Sequence, residues 1–160
     1  MTIAVCSGSF DPITWGHYDV VKRAHELFDE VIVVVAGNAA KNAVFSVAER
    51  VSLVRAVVAD LPGVTVDVTD GLIAQYCVDR GARVLVRGVR SGADVDQELA
   101  MSGMNRAISG VDTVFLPARP EHAHVASSLV KDVARHGGDV STFVPPAVAV
   151  ALRERFSPTE

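Results

Sequence analysis

The chain has 160 residues, 49% of them hydrophobic and 21% charged, and carries a formal net charge of −4. That length suits one domain with its own core, since at this size roughly 70% of the unfolded surface can be buried. The acidic balance excludes a protein that grips nucleic acid through a basic surface, and no apolar run approaches the ~20 residues needed to span a bilayer.

The first apolar run, Ile3 to Cys6, reads as a buried strand. It is followed by Ser7-Gly8-Ser9-Phe10-Asp11-Pro12-Ile13-Thr14-Trp15-Gly16-His17, a glycine- and hydroxyl-rich turn. Tyr18 to Phe28 then has apolar residues at helical spacing, so the turn joins a strand to a helix N-terminus, a natural seat for a phosphate. Val31 to Ala36 is continuously apolar, as expected for a parallel strand covered on both faces. A polar loop, Gly37 to Asn42, carries Lys41. Ser46-Val47-Ala48-Glu49 is a capping box opening a helix whose apolar stripe runs to Leu61.

Val64 to Val68 reads as the third strand, and Leu72, Ile73, Tyr76 and Cys77 form a short helical face ending at Gly81. Val84 to Val86 is the fourth strand and empties into Arg87-Gly88-Val89-Arg90. A helix is expected over Asp94 to Ile108, and a fifth strand over Thr113 to Leu116, followed by a loop with Arg119, His122 and His124. Ser127 or Ser128 reads as the cap of a helix stopped by Gly137-Gly138, and Pro145-Pro146 opens a last one. Residues 1–156 are expected to form one domain, with 157–160 as a short tail.

Strands alternating with helices predict an α/β, Rossmann-like doubly wound parallel sheet of five strands, with helices on both faces and a C-terminal helix. Ligands of such sheets bind beyond the carboxyl ends of the strands, where the winding reverses. The segments that follow the strands hold His17, Lys41, Arg87, Arg90 and the His122 to Ser128 stretch. A His, a Lys, two Arg and two helix N-termini are the groups that stabilise charge on phosphate oxygens while phosphorus is attacked. No dinucleotide-type glycine fingerprint and no P-loop is present. His122 and His124 have no Cys or carboxylate at a fitting spacing, so no protein-held metal is expected. Cys6 and Cys77 show neither disulfide nor metal spacing and read as buried thiols of a cytoplasmic protein; Met1-Thr2-Ile3 lacks the basic start of a secretory signal.

The motifs Gly8-Ser9-Phe10-Asp11-Pro12 with Thr14-x-Gly16-His17, and Ser127-Ser128-Leu129-Val130-Lys131, resemble the paired signatures of the nucleotidylyltransferase superfamily. Together with Ala40-Lys41, Arg87-Gly88-Val89-Arg90, Met104-Asn105-Arg106 and Gly137-Gly138-Asp139-Val140, the chain is similar to the bacterial phosphopantetheine adenylyltransferase family over residues 3–145. The resemblance implies adenylyl transfer from ATP to 4′-phosphopantetheine, giving dephospho-coenzyme A and pyrophosphate. It implies catalytic roles for His17, Lys41 and Arg90. Ser9, Phe10, His17, Gly88, Val89, Arg90, Glu98 and the stretch His122, Ala123, His124, Val125, Ala126, Ser127 and Ser128 would meet ATP, while Ser9, Lys41, Ile73 and Arg87 would meet the acceptor. It further implies Mg2+ arriving with ATP, feedback by coenzyme A and a homohexamer, with no nucleic-acid or membrane partner.

Ala126 stands where the family usually has a third Ser, His124 where it is often aromatic, and Val95-Asp96-Gln97 replaces a more aromatic stretch before Glu98. Taken alone, Glu98 is also explained as a solvated helix residue, Ser127 and Ser128 as simple caps. Two alternatives stand beside the main reading: a superfamily enzyme with another acceptor, such as nicotinate mononucleotide or glycerol 3-phosphate, and a nucleotide-binding sensor without catalysis.

Overall fold

The computed structural model describes residues 1–37 and 42–157. Five parallel strands, β1 (Ile3–Gly8), β2 (Glu30–Ala36), β3 (Val64–Thr69), β4 (Val84–Val89) and β5 (Asp112–Pro117), lie in the order β3-β2-β1-β4-β5. Between and after them run α1 (Trp15–Leu27), α2 (Val47–Val57), α3 (Ile73–Asp79), α4 (Gly92–Ser109), α5 (Ser127–Arg135) and α6 (Pro146–Phe156). The five-stranded parallel sheet expected from the sequence is the one found.

Val31 to Val35 of β2 are at most 1% exposed. Their alternate side chains feed two cores, because successive residues of a strand point to opposite faces. Val31, Val33 and Val35 join Ala4, Val21, Val54, Val130 and Leu152 on one face; Ile32 and Val34 join Val5, Cys77 and Leu85 on the other. Each such fully buried aliphatic side chain contributes about 1.5–3 kcal/mol relative to an exposed one. On the first face α1 presses close to β4: a Cβ on Gly88 would lie 2.7 Å from Val20 Cγ2.

The register explains where a ligand can enter. β1 and β4 pair only through Ala4–Val84, Val5–Leu85 and Cys6–Val86. Beyond those residues Ser7 and Gly8 continue alongside β2, while Arg87, Gly88 and Val89 continue alongside β5. The sheet therefore splits at its carboxyl end between the two strands from which the winding runs in opposite directions, the place where α/β sheets bind ligands.

Several boundaries differ from the periodicity. β1 extends to Gly8, so Ser7 and Gly8 belong to the strand and the turn is shorter. α1 begins at Trp15 rather than Tyr18, which makes His17 its third residue. A 3-10 turn at Pro120–His122 has no signal in the hydrophobic pattern. The largest correction concerns α5: its cap is Ala126, with no side-chain hydrogen bond, and neither Ser127 nor Ser128 plays that part. Among the described residues no helix is long and apolar enough to cross a membrane.

Candidate active site

The split opens a cavity of about 430 Å³. Its floor is the end of β1 and β4, one wall is the first turn of α1, another is α4, and the rim is the segment leading into α5.

His17 is placed by its own helix start. Thr14 caps α1 in extended backbone, and its hydroxyl accepts the His17 N–H at 3.3 Å. In return His17 Nδ1 accepts the Thr14 backbone N–H at 3.0 Å. This is a capping box in which His stands where Glu or Gln is usual. A backbone N–H can only donate, so Nδ1 is the unprotonated nitrogen and the ring proton sits on Nε2. Among the described residues no protein acceptor takes that proton. Burial, and then the Arg90 and Arg87 guanidinium groups, push the His17 pKa down to about 4. The imidazole is thus a neutral N–H donor throughout the physiological range.

That depression predicts a pH-dependent stability. The unfolded His17 takes up a proton near its ordinary 6.5, whereas the folded ring resists until about 4. The unfolded state binds more protons in that window, so stability falls as pH drops from about 6.5 toward 4 and is fully present above it. Thermal midpoints measured across this range should decline more steeply for the wild type than for His17→Asn; equal slopes would contradict the assignment.

Arg87 bridges the split itself. Its Nη1 donates to Ser7 O at 2.7 Å, across from β4 to β1. Nε and Nη2 form a two-pronged pair with Glu98 Oε2 and Oε1 at 3.0 and 2.8 Å. Glu98 is accordingly a partner of the site's arginine and not a solvated helix residue. Arg90 donates through Nη1 to Val125 O at 3.2 Å and lies 3.6 Å from Asp94 through Nε, which ties the α5 approach to β4. Ser127 Oγ donates to Pro12 O at 2.8 Å. With that hydroxyl engaged, the first turn of α5 carries no side-chain cap where Ala126, Ser127 and Ser128 line the cavity, which leaves its backbone N–H groups suited to an anion.

Ser9, Phe10, His17, Arg87, Gly88, Arg90, Glu98, His122, Val125, Ala126, Ser127 and Ser128 all line the one cavity. Others of the expected site do not. Val89 is buried, with its carbonyl accepting Ala118 N–H at 2.8 Å. Ala123 and His124 are exposed outside the lining, and the His124 ring stands edge-on to Phe143 at 5.9 Å. Ile73, at the start of α3, packs against the second core. Lys41 lies outside the described residues.

Three supports escape sequence reasoning. Asp11, 4% exposed, accepts from Val44 N, Phe45 N and Lys131 Nζ, all at 2.9 Å. Arg50, 2% exposed, donates to Ser9 O at 2.7 Å and Ala36 O at 3.0 Å, pinning the carboxyl ends of β1 and β2. Asp19 receives Arg119 Nε at 2.9 Å and Arg23 Nη1 at 3.3 Å, and Arg23 also donates to Pro117 O, so α1 holds the segment that carries His122. A capped polar residue in a turn is the only local signal for Asp11; Arg50 and Asp19 look like ordinary helix surface.

Residues 5–133 match the cytidylyltransferase-like family. A phosphopantetheine adenylyltransferase of Cutibacterium acnes is 53% identical over 153 residues, covering 96% of this chain and 98% of its own. One from Bifidobacterium longum is 52% identical over 159 residues, covering 98% and 96%. The chain belongs to the phosphopantetheine adenylyltransferase family. The architecture agrees: a solved Vibrio parahaemolyticus protein described as a nicotinate-nucleotide adenylyltransferase superposes with a TM-score of 0.70 over 99% of this chain and 98% of its own, at 19% identity, a likeness of fold. In this member of the phosphopantetheine adenylyltransferase family the two signature motifs, around His17 and Ser127, meet across the split in the sheet.

Proposed function

We propose that the protein transfers the adenylyl group of ATP to 4′-phosphopantetheine, releasing pyrophosphate and dephospho-coenzyme A. What supports this is the neutral Nε2–H of His17 on a cavity bounded by two guanidinium groups and an open helix N-terminus, in a chain about half identical to enzymes of that name. An oxygen of the acceptor phosphate attacks the α-phosphorus of ATP. The bond from that phosphorus to the bridging oxygen breaks, and pyrophosphate leaves with the electron pair. No protein group forms a covalent bond.

The chain's work is to bring two anions together and to stabilise the charge that builds between them. His17 donates Nε2–H to an α-phosphate oxygen without taking on charge. Ser9 and Phe10 meet the nucleotide, Gly88, Arg90 and Glu98 line its seat, and the residues from His122 to Ser128 cover its triphosphate. Arg87 and Lys41 receive the acceptor phosphate. Mg2+ belongs to the substrate as MgATP: the cavity's carboxylates, Asp94 and Glu98, are each paired with an arginine, and no group of three metal-binding side chains occurs among the described residues. Coenzyme A contains the same pantetheine arm as the acceptor, so feedback at this cavity belongs to the same reading. So does a homohexamer: exposed Met101, Met104 and Ile108 form an apolar stripe along α4 that assembly would cover. The protein would act in the cytoplasm, where its two buried free thiols stay reduced.

Purified protein with MgATP and 4′-phosphopantetheine should release pyrophosphate and form dephospho-coenzyme A, whereas nicotinate mononucleotide or glycerol 3-phosphate should not replace the acceptor. Release with only one of those other acceptors would reassign the substrate, and no release with any acceptor, 4′-phosphopantetheine included, would make the protein a binding module.

A further inference from the structure

α5 presents its uncapped N-terminus to the cavity, and something must fix where that terminus sits relative to His17. Two residues of the helix do so, and both reach the same short stretch of the β1–α1 turn. Ser127 Oγ donates to Pro12 O at 2.8 Å, and Lys131 Nζ donates to Asp11 Oδ2 at 2.9 Å. Ser127 and Lys131 are four apart and so share a face of the helix. Asp11 and Pro12 are consecutive in sequence. The helix is therefore fastened at two points one turn apart to the segment that leads directly into Thr14 and His17.

The Lys131–Asp11 link is the one suited to fix distance. Its side chains are 17% and 5% exposed, and the Asp11 carboxylate is itself anchored by the Val44 and Phe45 backbone N–H groups. A buried ion pair is a poor device for stability alone, because desolvation offsets most of the attraction and an apolar pair would serve as well. A pair with one geometry is a good device for orientation, since neither charge can move without losing its partner.

Resting on the adenylyl-transfer reading, we propose that Lys131 is a positioning residue, acting through Asp11 to set the N-terminus of α5 against His17 so that triphosphate and α-phosphorus are held in line. Lys131 itself contacts no substrate. Its ammonium ends on Asp11, so it acts by where it holds the helix.

The test compares Lys131→Met, which keeps the length of the stem, with Lys131→Arg, which keeps the charge. Two measurements are made on each and on the wild type: ATP binding by calorimetry without acceptor, and steady-state kinetics of pyrophosphate release. Misplacing the anion seat by a fraction of an ångström should weaken ATP binding and lower kcat by roughly 10- to 100-fold in Lys131→Met. KM for 4′-phosphopantetheine should stay near wild type, and Lys131→Arg should recover most of both losses. Wild-type ATP affinity and kcat in a folded Lys131→Met protein would overturn the proposal, as would equal losses toward both substrates. If Lys131→Met does not fold, Lys131→Ala, which likewise removes the donor to Asp11, is measured in its place with the same two outcomes. Calorimetry needs no turnover: a wild type that binds ATP but does not use 4′-phosphopantetheine would refute the substrate reading, and the variant's ATP affinity would still decide the positioning role.

Discussion

Replacing His17 with alanine should slow turnover by about 100- to 1000-fold, the usual cost of removing one donor aimed at developing charge. Both KM values should change little, because the donor's contribution is largest when the α-phosphorus is five-coordinate and its oxygens carry most charge. In the proposed mechanism the ring works as an N–H donor in its neutral form, and its pKa is pushed down to about 4 by burial and by Arg90 and Arg87. Its protonation therefore adds no acid limb to the rate between about pH 5 and pH 8. The acceptor's phosphate, whose second ionisation lies near 6, gives a limb of its own in both proteins. Pyrophosphate release measured across pH for wild type and His17→Ala should yield parallel profiles separated by a constant factor. A wild-type limb near 6.5 that disappears in the variant would mean that His17 works as a charged group, and a folded variant with a near-normal rate would remove it from the mechanism.

Replacing Asp11 with alanine should cost about 3–5 kcal/mol of stability, the range found when one member of a buried pair is removed. Three donors lose their acceptor at once: Val44 N, Phe45 N and Lys131 Nζ. Burial alone would raise the Asp11 pKa, but hydrogen bonds from Val44, Lys131 and Phe45 outweigh it and hold the carboxyl below the ordinary range. Its contribution is therefore present at neutral pH and lost as pH falls through that lowered value. Urea unfolding at pH 7 should show a lower midpoint with an unchanged slope, and the difference from wild type should shrink in acid. Asp11→Asn, which keeps one carbonyl oxygen, should fall between the two. A midpoint within experimental error of wild type for Asp11→Ala would show that the three donors find water instead.

The sheet was legible because its strands are runs of β-branched residues bounded by Gly, Pro and Asp, and Val31 to Val35 could hardly be anything but a central strand. Most of the lining was legible for a related reason: an α/β sheet collects its loops at one end, so His17, Arg87, Arg90 and Ser127 converge by topology. What local pattern could not supply was the partners. Arg87, directly after the apolar run Val84 to Val86 and inside β4, needs a counter-charge, but that it is Glu98 depends on how α4 packs back. Ser127 looks like a cap because Ser usually is one; here a carbonyl 115 residues away takes its hydroxyl. Asp11 reads as a turn residue because its acceptor role is played to groups 33, 34 and 120 residues distant. The Thr14–His17 box, by contrast, spans only three residues, and its geometry follows from the capping rule once His is allowed in place of Glu.

Arg87 meets every incoming anion with a counter-ion already in place, and that counter-ion cannot diffuse away because the chain carries it. Glu98 makes the guanidinium behave like one site of an ion exchanger whose resident ion is tethered. Chloride or acetate, with one charge, gains nothing over the carboxylate it would have to displace. For the acceptor phosphate of the proposed reaction to reach Arg87, its second charge and third oxygen would have to draw the fork away from Glu98 or share it. On the proposed reading, a dianion competes with Glu98 for that guanidinium on better terms than a monovalent anion does.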